Sequence, residues 1–187
     1  VKYLVFMVAA VLATALATRG RSHEGGSPPA GPGETPSKMR ATAREEKLTV
    51  EEWRDRGRQF HGHLGAWLDC GLRLGLLGRE RLEAPKYFGL ETEVHCVGRP
   101  PVSCLLDGLQ LSTGCTLGKQ NIKLVANEKA EDPIRVKFTR EDGKSVVLTL
   151  SREAPGQFAA WNAALSEEET FKRVWEMPVS RLLEEGK

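Results

Sequence analysis

The segment "LGAWLDCGLRLGLLG", residues 64–78, decides how this chain folds, because it is apolar nearly all the way round a helix rather than on one stripe. Such a helix lies inside a domain or packs against another subunit. Gly71 and Gly75, four residues apart, leave room for a second helix to approach closely. The second helix is expected over residues 100–114, "PPVSCLLDGLQLSTG", where Pro100-Pro101 opens the run and Cys104, Leu105, Gly108 and Leu109 follow. Proline suits a helix start because its missing amide would be unpaired there in any case.

Upstream, Thr49 followed by Glu52 fits a capping box, and Trp53, Gly57 and Phe60 fall on one face of the helix it starts. That helix is expected to end at His61-Gly62-His63. Downstream, "GLETEVHC" alternates as a strand does. Residues 134–150 read as a hairpin, with Ile134, Val136 and Phe138 on one arm, Val146, Leu148 and Leu150 on the other, and Asp142-Gly143 suited to a type I′ turn. Ser166 with Glu169 repeats the capping box, and Phe171, Val174 and Trp175 form the apolar stripe of a C-terminal helix. The fold class expected is α+β, a helical layer packed on an antiparallel sheet in a single domain.

The chain of 187 residues suits one domain with a real core, and 28% charged with 40% hydrophobic residues is ordinary for a folded soluble protein. A net charge of +2, spread without a basic block, gives no support to nucleic-acid binding. Residues 3–17, "YLVFMVAAVLATALA", follow Lys2, are shorter than the roughly 20 residues of a stable membrane span, and end in an A-x-A pattern at Ala15 and Ala17. Residues 1–17 therefore read as a signal peptide for export to the periplasm. The alternative is a cytoplasmic chain that starts at Met39. Residues 18–47, dense in Gly, Pro and Ser, read as a disordered linker before a domain over 48–187.

Several nucleotide and hydrolase signatures fail. "GCTLGKQ" has three residues between Gly114 and Gly118 and carries Gln120 where a phosphate loop has Ser or Thr. "GLRLGLLG" lies inside a helical run, and the chain has no G-x-S-x-G, H-E-x-x-H or C-x-x-C. The surviving donors are His61, His63, Cys104 and Cys115, with Asp107, Gln110, Lys119 and Asn121 nearby in sequence. Imidazole and thiolate are the usual zinc ligands. On a continuous helix His61 and His63 would point about 200° apart, so both can serve one metal only if the chain departs from helix at Gly62. Read blandly, the pair is a polar turn, and Cys70 and Cys96 are small core hydrophobes. In an oxidising compartment Cys104 and Cys115 are a candidate disulfide.

"FHGHLG" followed by a glycine-containing apolar helix, and then "PPVSCLLDGLQLSTGCTLGKQNI", resemble the two signature blocks of the FmdE-like formylmethanofuran dehydrogenase family over roughly residues 50–150. The resemblance implies an α+β fold, a homodimer and a metal, usually zinc, with another transition metal such as iron as the alternative. It maps the metal ligands onto His61, His63, Cys104 and Cys115, and active-site roles onto Cys115, Lys119 and Asp107. Many family members have Cys-Pro where this chain has Gly65-Ala66, which removes one thiolate and favours a mixed His/Cys site. The function implied is a metal-binding accessory or regulatory domain in redox or one-carbon metabolism, partnered with a redox or molybdenum/tungsten enzyme. The chain lacks the cysteines and length to make formylmethanofuran alone. Two other readings stay open: a free-standing metal-dependent enzyme, and a metal-free dimeric interaction module.

Overall fold

The computed structural model describes residues 47–184, so the expected signal peptide and all of the linker except Lys47 lie outside the described residues. Helix α1 (Val50–His61) and α2 (Ala66–Leu82) precede strand β1 (Leu90–Cys96). A 3₁₀ turn (Val102–Cys104) leads into α3 (Leu105–Thr113), and a second (Leu117–Lys119) precedes β2 (Ile122–Ala126). The hairpin of β3 (Arg135–Arg140) and β4 (Ser145–Thr149) follows, then α4 (Ala154–Ala164), α5 (Glu167–Glu176) and α6 (Val179–Leu182). The fold is α+β in one domain. None of the described helices is long and apolar enough to cross a membrane.

The sheet order is β2-β1-β3-β4, and β1 pairs antiparallel with β3 but parallel with β2. The sheet is therefore mixed, not purely antiparallel as expected. The reason is α3: a helix between two adjacent strands is a crossover, and a crossover returns the chain in the same direction.

Both capping boxes form, with the Thr49 hydroxyl taking the Glu52 amide and the Ser166 hydroxyl the Glu169 amide. Along α1, Trp53 and Gly57 are buried, but Phe60 is 54% exposed and does not share their face in the core. Residue 60 lies in the last turn of α1, beyond the part that α2 covers. The α2–α3 contact is as close as the two glycine-bearing helices suggested. A Cβ on Gly71 would stand 2.1 Å from the Leu105 carbonyl oxygen, and one on Gly108 would stand 2.1 Å from that of Leu68. The backbones touch, and only glycine at both positions allows it.

The helix expected from Pro100 begins later, at Leu105, because the chain first makes the 3₁₀ turn. The β3–β4 turn also differs from expectation. Gly143 is left-handed at φ 86° but Asp142 is not, and the Gly143 amide bonds to the Arg140 carbonyl. This is a three-residue connection with a glycine bulge rather than type I′. Asp142 sets it, holding the Lys144 amide at 3.2 Å while Arg140 grips its carboxylate.

The main core joins Cys70 and Leu74 of α2, Leu105 and Leu109 of α3 and Phe158 of α4 to Val94, Val136, Phe138 and Leu148 of the sheet. A smaller cluster of Trp53, Leu64, Leu68, Leu72 and Phe171 lies between α1, α2 and α5. Trp175 stacks on Phe171 with ring centroids 5.3 Å apart. At the far end of α5, the half-buried Arg73 guanidinium donates to the carbonyls of Val174 at 2.6 Å and Met177 at 2.7 Å. It satisfies acceptors that a helix C-terminus leaves open.

Candidate functional site

Gly62 takes φ 90°, a left-handed conformation that ends α1, and its amide bonds back to the Arg58 carbonyl. The chain therefore leaves the helix between the two histidines. Their rings come within 4.7 Å, centroid to centroid, tilted by 37°. The departure from helix that joint use of the pair requires is present.

The first turn of α3 supplies the partner. His61 Nδ1 lies 2.7 Å from Asp107 Oδ2, with the imidazole 11% exposed and the carboxylate 36% exposed. With the Nδ1 hydrogen given to the carboxylate, Nε2 keeps its lone pair, which is the arrangement that prepares histidine to bind a metal. Cys104 stands just ahead of α3, half-buried, and its pKa is raised first by burial and then by the Asp107 charge. It therefore stays a thiol unless something cationic comes near. His61, His63 and Asp107 are thus brought together, with Cys104 within the electrostatic reach of Asp107.

Cys115 is elsewhere. It follows the opposite end of α3, fully buried, and its thiol donates to the Leu90 carbonyl at 3.3 Å. A helical rise of about 1.5 Å per residue puts it about 15 Å from Cys104. All four cysteines are free thiols, so the disulfide expected as an alternative for Cys104 and Cys115 is not formed. Cys70 and Cys96 are buried, as their apolar surroundings implied.

Lys119 belongs with Cys115 rather than with the histidines. Its ammonium donates to the Tyr87 carbonyl at 3.0 Å and to the Gly114 carbonyl, and it stands 5.0 Å from the Phe88 ring centroid. Burial lowers its pKa, and the neighbouring Cys115 works in the opposite direction. The lysine pins an unusual stretch of chain: Tyr87 is left-handed at φ 80°, and a Cβ on Gly114 would meet its ring at 2.5 Å. The Cys115–Lys119 block thus locks the segment before β1 onto the end of α3.

Three residues near the histidines carry no signal in the local sequence pattern. Asn162 of α4 accepts the Ala66 amide at 3.1 Å, and Glu167 of α5 accepts the Leu64 amide at 3.2 Å. Both tie down the turn between α1 and α2, and both lie about a hundred residues away along the chain. Asp69, in the first turn of α2, is fully buried and neither carboxylate oxygen has a hydrogen-bond partner.

Among the described residues no three of His, Cys, Asp and Glu converge into a ready cage for a metal ion. The donor set fits two imidazoles with an orienting carboxylate behind one of them. It does not fit a closed four-ligand site. A Cβ on Gly65 would stand 3.8 Å from His63 Nε2, so the position where many members of the resembling family carry cysteine does face this pair.

A family model described as "FmdE, Molybdenum formylmethanofuran dehydrogenase operon" matches residues 60–185. A curated relative from Archaeoglobus fulgidus, described as "Probable S-adenosyl-L-methionine-binding protein", is 30% identical over 105 residues. The match takes in 52% of this chain and 26% of that protein, so the chain spans about a quarter of the relative's length. The family match runs from the last turn of α1 through α6, across both signature blocks and the whole sheet, and by it the chain belongs to the FmdE family.

Proposed function

We propose that the protein is a metal-binding accessory domain in redox or one-carbon metabolism, with zinc as its metal, held by His61 and His63. The observation that carries this reading is the 2.7 Å contact of His61 Nδ1 with Asp107 Oδ2, beside a second imidazole. A carboxylate behind one ring nitrogen fixes the tautomer and strengthens the other as a donor. Cys104, at the start of α3, is the nearest candidate for a third donor, and the remaining positions fall to water or a partner's group. Bound there, zinc would supply Lewis acidity. The residues of this chain hold and orient it, and Asp107 serves as the positioning carboxylate.

The accessory role draws on the relative in which the matched segment is a quarter of a larger protein. A domain of this kind works beside others, and the partner in this reading is a redox or molybdenum/tungsten enzyme, met by a homodimer. The free-standing enzyme draws less support. As a nucleophile Cys104 is held in its thiol form, Cys115 is sealed in the core, and Lys119 already donates to two carbonyls.

Zinc titration of the purified protein against a chromophoric chelator tests the reading, alongside His63→Ala and Asp107→Asn. The expected result is one zinc per chain, lost in His63→Ala and weakened about 10–100-fold in Asp107→Asn, the size of effect that orienting groups have on metal affinity. Zinc binding that is absent from the folded parent, or indifferent to both changes, overturns it and leaves the metal-free interaction module.

A further inference from the structure

Asp69 is the most anomalous group in the described chain. Its side chain is fully buried, and neither oxygen meets a donor. Buried carboxyl groups are almost always paired or hydrogen-bonded, because an isolated carboxylate pays heavily for leaving water. Its charged and titratable neighbours among the described residues are Glu167 of α5, Arg58 of α1 and, on its own helix, the Cys70 thiol. Asp69 also sits where the chain re-enters helix, its amide closing the first turn of α2 on the Gly65 carbonyl at 3.0 Å.

The two nearest charges already have work. Arg58 bridges to Glu167 at 3.5 Å and to Glu168, and Glu167 uses the same Oε2 to hold the Leu64 amide at 3.2 Å. Glu167 is therefore the tie between α5 and the turn that carries His63. An anion appearing at Asp69 would repel that carboxylate and attract the guanidinium that steadies it.

We propose that Asp69 is a proton-operated latch on the His61–Ala66 turn: neutral, it lets α1 and α5 close over it with Glu167 on the Leu64 amide, and ionised, it draws Arg58 from Glu167 and loosens that tie. Burial first, and Glu167 second, push its pKa up to about 8, with Arg58 pulling the other way. The latch is closed below that pH and opens above it. It needs no metal, so it stands or falls separately from the zinc reading.

The test follows the Asp69 side-chain carboxyl carbon by NMR from pH 6 to 9.5 in the full chain, together with the hydrogen-exchange protection factor of the Leu64 amide. The expected result is a titration near pH 8 with Leu64 protection falling about tenfold or more across the same midpoint, as befits a local opening. Asp69→Asn should hold that protection constant with pH. Should that variant misfold, Glu167→Gln serves instead: it keeps an acceptor for Leu64, removes the repulsion, and should shift the Asp69 midpoint downward. A carboxyl that titrates below pH 5, a Leu64 protection factor that ignores the titration, or an unmoved midpoint in Glu167→Gln overturns the latch.

Discussion

Gly65→Cys should give this protein a tighter metal site. Gly65 has φ −168° and ψ 151°, extended backbone that any residue adopts, and nothing lies nearer to an added Cβ than His63 Nε2 at 3.8 Å. The substitution therefore costs little in folding. In a tetrahedral zinc site with bonds of about 2.3 Å to sulfur and 2.0 Å to nitrogen, the two donors stand about 3.5 Å apart. A thiol one bond beyond that Cβ reaches this separation from His63. Structural zinc sites with four ligands bind with about 10–16 kcal/mol, so one further thiolate is worth about 3 kcal/mol, or about a hundredfold in Kd. Competition against a chromophoric chelator at fixed pH measures the change directly. A folded Gly65→Cys protein with a zinc Kd within about twofold of the parent would refute the placement of the metal at His61 and His63.

Asp69 makes stability fall with rising pH. Its folded pKa of about 8 lies above the unfolded value of about 3.9, so its full contribution is present below pH 4 and is lost progressively as pH climbs toward 8. At about 1.4 kcal/mol per unit, the loss between pH 5 and 7.5 is about 3 kcal/mol as an upper bound, and Asp69→Asn should remove it; equal pH slopes in urea unfolding of both proteins would contradict this. Gly108→Ala drives a Cβ to 2.1 Å from the Leu68 carbonyl and should cost about 3 kcal/mol through forced separation of α2 and α3, read by thermal unfolding. A loss under about 1 kcal/mol would mean that the helices can slide apart freely. Lys119→Met removes two bonds to carbonyls and should destabilise by about 2 kcal/mol while leaving zinc affinity unchanged. Cys115→Ser should likewise spare zinc affinity and Cys104→Ser should lower it; the reverse order would show that the two ends of α3 serve one site.

What the sequence made legible was local. The capping boxes at Thr49 and Ser166 need only residues three apart, and both form. Helix α2 was legible because an apolar surface on every side has one physical outcome, burial. Strand β2 was not: of its five residues only Ile122 is buried, so it carries no alternation, and its place beside β1 is fixed by the α3 crossover. Helix α4 was missed because "APGQFAAWNAA" has no apolar stripe, with Ala154 and Phe158 alone buried. The turn type failed on one side chain, Asp142, whose bond to the Lys144 amide competes with the backbone pattern expected of Asp-Gly. In the candidate site, the histidine pair and Asp107 could be named from sequence. The separation of Cys104 from Cys115 could be seen only once a straight helix was known to stand between them.

That helix explains why one signature block has two unrelated jobs. Its first turn offers Asp107 to His61, while its far end is held by Lys119, Gly114 and the left-handed Tyr87. Anchoring one end of a rigid rod fixes the position of the other. The rod's lateral position comes from Gly71 and Gly108, where α2 and α3 touch backbone to backbone. The same α2 receives α1, since a Cβ on Gly57 would meet Leu72 at 3.3 Å and Leu68 at 3.5 Å. His61 and Asp107 are therefore placed by two independent contacts with one helix. The 2.7 Å between them is as precise as those glycine contacts are tight. The glycines of the apolar helix and the histidines before it belong to one device, the first setting the distance that the second uses.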